Sequence, residues 1–301
     1  MEYQEFVEAA VEGIRERTGK EVTAMAVRKN NGVLMDGLLV REKGLNISPL
    51  IYLEPHYRFY LAGMELEAVM ENIHAAYLES RPKADFETGC FTDFEQAKER
   101  IVLKLVNYEK NREMLEGIPH KKYLDLAVVF GYLVDGSGDG CQALVLLKNE
   151  HLDYWGVQAD EIEELAYKNT PRLLGYRVIR MKDVLTECCG EAVKAGIIRG
   201  EAAHMPELLI LTNRNKLDGA CCILYPGVLA GLAENMGCDF IILPSSVHEV
   251  ILLPSAEGEV PDWGRLRQVI CEINGAYVSD MDILSDHPYF YDRMTAEISV
   301  V

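Results

Sequence analysis

Residues 208–254 read LLILTNRNKLDGACCILYPGVLAGLAENMGCDFIILPSSVHEVILLP, and their pattern decides the fold class. Apolar runs at Leu208–Leu211, Ala220–Leu224, Phe240–Leu243 and Glu249–Leu253 alternate with polar joints. Short apolar runs bounded by turn-forming residues predict strands. Pro226 suits the first turn of a helix over Pro226–Met236, and Gly237 suits its end. The stretch therefore predicts two hairpins bridged by a helix, with polar side chains confined to the turns.

The same hairpin-then-helix order extends outward. Runs at Glu21–Val27 and Gly32–Val40 flank Asn31-Gly32, a step that accommodates positive φ. A third run, Asn46–Leu53, precedes a helix near 64–80 carrying Leu66, Val69, Met70, Ile73 and Tyr77 at helical spacing. Thr92-Asp93-Phe94-Glu95 has capping-box spacing and predicts a helix start, with a strand at Ile101–Asn107. Tyr123–Leu133 and Cys141–Leu147 predict a second hairpin, followed by a helix over Asp160–Asn169 that Pro171 should stop. Hairpins that feed helices favour largely antiparallel sheets with helices packed on one face, an α+β arrangement. A length of 301 residues suits two domains. We expect them at 1–118 and 119–301, with Pro119 at the seam and 208–254 as the core of the second.

Acidic residues number 48 against 30 basic ones, giving a net charge of −18 that repels phosphate backbones and anionic lipid. Direct nucleic-acid or membrane binding is therefore not expected, and an acidic mimic of nucleic acid is a minor alternative. The first residues form an acidic amphipathic helix rather than a basic segment leading into an apolar one. No apolar run approaches the roughly 18 residues of a spanning helix, so a cytoplasmic protein is expected. Cysteines at 90, 141, 188, 189, 221, 222, 238 and 271 form no CxxC pair. Free thiols, rather than zinc ligands or disulfides, are the expectation.

Three patterns carry a family resemblance. They are Tyr154-Trp155-Gly156-Val157 with Glu161, Leu165, Ala166 and Asn169-Thr170-Pro171; Leu211-Thr212-Asn213 through Gly219-Ala220 to Leu224-Tyr225-Pro226-Gly227-Val228-Leu229; and Leu243-Pro244-Ser245-Ser246-Val247-His248-Glu249-Val250. Together they resemble an uncharacterised clostridial family known only as a domain of unknown function. They are also similar to the YtpQ-like uncharacterised proteins of Gram-positive bacteria. Lys29-Asn30-Asn31-Gly32 and Ile51-Tyr52-Leu53-Glu54 extend the clostridial likeness into the first half. The resemblance implies a bacterial protein and supplies no reaction, cofactor or catalytic residue.

The candidate catalytic residues are Ser245, Ser246, His248 and Glu249. A serine-type hydrolase would use a serine as nucleophile, His248 as base, and Glu249 or Asp218 to orient the imidazole. However, no GxSxG elbow is present, and serine hydroxyls in such a turn commonly bond their own backbone. The candidate ligand-binding residues are Asn213, Arg214, Asn215 and Asp218, which equally build turns. One histidine without an HExxH pattern makes a metal site at His248, Glu249 and Asp218 unexpected. The loop Asp135–Gly140 places Asp135, Ser137, Asp139 and Gly140 at EF-hand-like positions, but Leu146 stands where a bidentate glutamate is needed. Tyr52, His56, Tyr57, Phe59 and Tyr60 read as packing. No cofactor is expected. The leading expectation is a non-enzymatic protein binding a small ligand or a protein partner, provided the turns at Asn213 and Ser246 meet.

Overall fold

Phe6, Val7, Ala10 and Ile14 share one helical face, and burying them fixes the first helix, α1 (Tyr3–Thr18). Gly19, at a φ of 64°, ends it in the left-handed region that glycine adopts without strain. The computed structural model describes residues 1–82, 85, 89–135, 142–184, 207–255 and 261–301. Strands β1 (Val22–Arg28) and β2 (Leu34–Val40) pair antiparallel around Asn31 and Gly32, both at positive φ, as the Asn-Gly step predicts. β3 (Leu50–Tyr52) completes a three-stranded sheet. α2 (Glu54–Leu61) and α3 (Leu66–Ser80) follow. The buried side chains of α3 (Val69, Met70, Ile73 and Tyr77) join Leu38, Val40 and the α1 face in one core. These elements form one compact unit, Met1–Gly89.

The second unit, Cys90–Val301, holds two further sheets. Short helices α4 (Gly89–Thr92) and α5 (Phe94–Ala97) lead in, the latter capped by Asp93, whose carboxylate accepts the Glu95 N–H at 3.0 Å. β4 (Ile101–Asn107) is apolar on both faces and buried on both. After α6 (Arg112–Leu115) come β5 (His120–Tyr123), β6 (Leu126–Asp135) and β7 (Gln142–Leu146). β6 is the spine of this sheet and pairs with β4, β5 and β7, all antiparallel. α7 (Asn149–Trp155) and α8 (Ala159–Leu174) follow. The other sheet runs in the order β13-β12-β10-β11-β9-β8 and every pairing is antiparallel. Its strands are β8 (Arg177–Arg180), β9 (Leu209–Thr212), β10 (Asp239–Leu243), β11 (Val250–Ser255), β12 (Tyr289–Asp292) and β13 (Glu297–Val300). One apolar core unites Leu103, Phe130, Ile162, Leu211, Phe240 and Tyr289 across both sheets and α8. The α+β class follows from these antiparallel sheets and their helices.

Four expectations need correction. Ala220–Leu224 is no strand: Gly219–Leu224 coils as a buried 3-10 helix. Both edges of β9 are already taken, by β8 and β11, so the run has no strand edge to join. Residues 208–254 thus hold one hairpin, β10–β11, and not two. Pro171 does not stop α8, which continues to Leu174. There Asn169 Nδ2 donates to the carbonyls of Lys98 (2.7 Å) and Ile101 (3.1 Å), while Thr170 Oγ1 accepts the Leu103 N–H at 3.0 Å. These bonds to the start of β4 hold the last turn despite the proline. Finally, the seam expected near residue 118 lies inside the second unit, between α6 and β5. β5 pairs with β6, which also pairs with β4, so a cut there would split one sheet. Residues 136–141 of the glycine-rich loop, with the calcium-like positions Ser137, Asp139 and Gly140, lie outside the described residues, as do Cys188 and Cys189.

Candidate functional site

The turns at Asn213 and Ser246 do meet. Asn213 is fully buried; its Oδ1 accepts the Asn215 N–H (3.1 Å) and the Leu217 N–H (3.3 Å), and its Nδ2 donates to the Leu217 carbonyl at 2.6 Å. Asparagine therefore builds the turn from inside, as its side chain is suited to do. Arg214 stays exposed while its backbone N–H donates to Leu174 O at 3.1 Å, and Asn215 Nδ2 donates to Gln142. The Asp218 carboxylate takes the Lys104 ammonium at 2.8 Å, and the Asp218 N–H donates to His248 Nδ1 at 3.1 Å. Gly219 lies so close that a Cβ there would sit 2.6 Å from both Asn213 N and His248 O.

On the other side of this corner, residues 244–248 are stitched to 282–285. Val247 N–H donates to Asp282 O (2.8 Å), Leu284 N–H to Ser245 O (3.1 Å) and Ser285 N–H to Pro244 O (2.9 Å). Ser246 Oγ accepts the His248 N–H at 3.1 Å, and the Thr212 hydroxyl donates to His248 O at 2.8 Å. Because Nδ1 accepts an amide proton, neutral His248 carries its proton on Nε2, which faces Asp282 Oδ1 at 3.4 Å. A serine-activating histidine needs the reverse: a carboxylate at Nδ1–H and a free Nε2 lone pair at the serine. Of the proposed partners, Asp218 reaches the ring through its backbone and not its carboxylate. Asp282 supplies the carboxylate. The void beside Asn215, Leu217 and Asp218 measures about 10 Å³, room for about one water.

The space in this unit opens elsewhere, where the 3-10 turn leads into the helix Val228–Met236. A cleft of about 500 Å³ is lined by Tyr123, Tyr167, Tyr225 and Tyr291, with Ile223, Leu224, Leu229, Ala230, Glu297 and Ile298. Tyr225 and Tyr291 are nearly buried and form its floor, while Tyr123 and Tyr167 are half-buried. Burial, then Tyr167 nearby, pushes the Tyr123 phenol up to about 12. Burial, then the Cys221 and Cys222 thiols, raises Tyr225 further. Burial chiefly raises Tyr167 and Tyr291 as well, so all four rings are neutral phenols near neutral pH. Cys221 is completely buried behind Tyr225, its Sγ 3.9 Å from the phenol oxygen. A hydrogen bond with the Cys222 thiol, and then burial, raises the Cys221 pKa and keeps it a thiol. The 3-10 turn brings these vicinal thiols together, where a strand would point them apart.

One more cluster had no signal in the sequence. Asp125 accepts the Tyr289 hydroxyl at 2.5 Å and the Ser285 hydroxyl at 2.6 Å, and His287 Nδ1 lies 3.2 Å from the same carboxylate. Asn107 Nδ2 donates to Leu284 O at 2.9 Å beside it. These residues come from the β5–β6 turn, β4, the segment before β12 and the first residue of β12, so their separation along the chain conceals the contact. Together they act as a polar clamp between the two sheets. Among the described residues, no group of three or more His, Cys, Asp or Glu side chains is placed to hold a metal ion. No helix among them is long and apolar enough to cross a membrane.

A family model described as a family of unknown function, DUF5688, matches residues 3–293. The chain belongs to that family. No curated protein and no solved structure matches it significantly. In this DUF5688 member, the patterns that suggested kinship sit at structural joints. Asn169-Thr170-Pro171 anchors α8 to β4, and Thr212-Asn213 with Gly219 and Ser246–His248 forms the stitched corner. The second pattern also lines the cleft, through Leu224, Tyr225, Gly227 and Leu229.

Proposed function

We propose that this DUF5688 chain is a non-enzymatic binding protein whose second unit takes a small ligand in the tyrosine-lined cleft. The observation that carries this reading is the cleft itself: about 500 Å³, floored by two buried tyrosines and flanked by two half-buried ones. Ligand sites typically enclose about 300–1,000 Å³, a range that includes this cleft. The hydrolase alternative through Ser246, His248 and Glu249 is disfavoured. Ser246 Oγ is engaged by a backbone amide, and His248 presents no free lone pair toward it. We further propose a cytoplasmic location in a bacterium of clostridial type, related to the YtpQ-like proteins. The described free thiols and the sequence patterns quoted above support that part.

The test fills the cleft. Ala230 is exposed and lines it, so Ala230→Trp should block it without disturbing the core. A thermal-shift screen of both proteins against a metabolite library should yield a compound that raises the melting temperature of the native chain alone. At a ligand concentration about 100 times Kd, the stabilisation is about 2.7 kcal/mol. A screen in which every stabilising compound acts equally on Ala230→Trp would sink the reading. Ester or peptide hydrolysis that vanishes with Ser246→Ala would replace it by the hydrolase.

A further inference from the structure

The cleft's lining also specifies the charge of its occupant. Four tyrosines line the cleft, Tyr123 and Tyr167 half-buried and Tyr225 and Tyr291 almost wholly buried, all neutral near neutral pH, and the acidic side chain lining it is Glu297, exposed on β13. The ring faces carry negative electrostatic potential, which attracts cations whose hydration shell is weak enough to lose. The nearby ammonium, Lys121 close to Tyr167, is already paired with Glu163 at 2.6 Å and does not fill the space. The net charge of −18 adds a long-range attraction for cations and opposes anions. Leu224 and Ile298, both partly exposed, supply apolar surface against which methyl groups can rest.

Resting on the binding reading above, we infer that the cleft recognises an alkylated ammonium group, with the tyrosines as its cage and Glu297 as its counter-charge. Such a group occurs on free quaternary amines and on methylated lysine side chains, and both share the chemistry the cleft offers. Tyr123 and Tyr167, half-buried, would offer their rings to the methyl groups, and Tyr225 and Tyr291, almost wholly buried, would back them from below. The more exposed Glu297 would select charge mainly during approach.

The experiment titrates the full chain calorimetrically with choline, with dimethylbutanol (its uncharged carbon isostere), and with a peptide bearing trimethyl-lysine or unmodified lysine. At least one methylated cation should bind about tenfold or more tightly than its uncharged or unmethylated counterpart. Preference for choline over the peptide, or the reverse, identifies the source. Tyr167→Leu should weaken binding about tenfold and Tyr167→Phe should leave it intact, because the ring and not the hydroxyl makes the contact. Glu297→Gln, an exposed change that leaves the core untouched, should weaken binding about two- to fivefold. Equal binding of choline and its isostere overturns the cation assignment but leaves the cleft a ligand site. Loss of binding in Tyr167→Phe overturns it too, since a hydroxyl would then be the determinant. If no cation binds, the inference fails, and the Ala230→Trp screen separately decides whether the cleft binds anything.

Discussion

Gly219 shows how little freedom the corner leaves a single residue. Its neighbours Asn213 N and His248 O would each lie 2.6 Å from a Cβ, and both are backbone atoms that cannot swing aside. Gly219→Ala should therefore lower stability by about 1–3 kcal/mol, the usual cost of overpacking, read as a lower urea midpoint at unchanged m-value. Ser246→Ala removes one acceptor for an amide and should cost about 1 kcal/mol without abolishing any turnover. At this scale the sequence was half legible. Asn213 and Ser246 were recognisable as turn builders because their side chains bond nearby backbone. Asp282 could not be assigned to His248, nor Asp125 to Ser285, because those contacts depend on chain crossings that local spacing does not encode.

At the level of elements, the apolar strand β4 carries one charged side chain, Lys104, and its ion pair with Asp218 ties that strand to the 3-10 turn. Both groups are largely buried, at 18% and 12% exposure. Lys104→Met would strand an unpaired carboxylate and should cost about 3 kcal/mol, whereas adding Asp218→Asn should recover much of that loss. Equal losses in the single and double variants, measured by denaturation, would show that the pair has no such role. Strands and helices with clear period or capping were readable: β1–β2 from Asn31-Gly32, α3 from its apolar stripe, β4 from an apolar run that Lys104 interrupts. Ala220–Leu224 was not, because a short apolar run buried on all sides looks the same whether it coils or extends. What decides it is that β8 and β11 already occupy both edges of β9, and only the assembled sheet contains that information.

For the whole molecule, the first unit carries a group whose charge ties its stability to pH. Glu42 is nearly buried; burial alone pushes its carboxyl up, but Lys20 (2.5 Å), the Tyr77 hydroxyl (2.6 Å) and Arg81 (3.3 Å) together outweigh this and hold it below the usual value of 4.5. A depressed carboxyl contributes stability that is present above its unfolded pKa and is lost as pH falls through its folded value. The protection of the α3 amides Val69–Tyr77, their exchange rate relative to the intrinsic rate at the same pH, should therefore fall as the pH drops below about 4.5. Glu42→Gln should exchange faster than the native chain at neutral pH and converge with it in acid. A constant gap between the two at every pH would remove Glu42 from that role. The antiparallel α+β class was legible from hairpins followed by helices, but the unit boundary was not, since Pro119 marks only the turn into β5. The clamp on Asp125 has a consequence in time. Its partners Ser285 and Tyr289 lie 160 and 164 residues further along the chain, and β12 pairs with β10 only after that segment has been made. As the chain leaves the ribosome, β6 must wait through most of the second unit's synthesis for its polar seal, with the β10 edge open meanwhile. The nascent protein is therefore most exposed to mispairing just before its final strands emerge, the interval in which a chaperone would matter most.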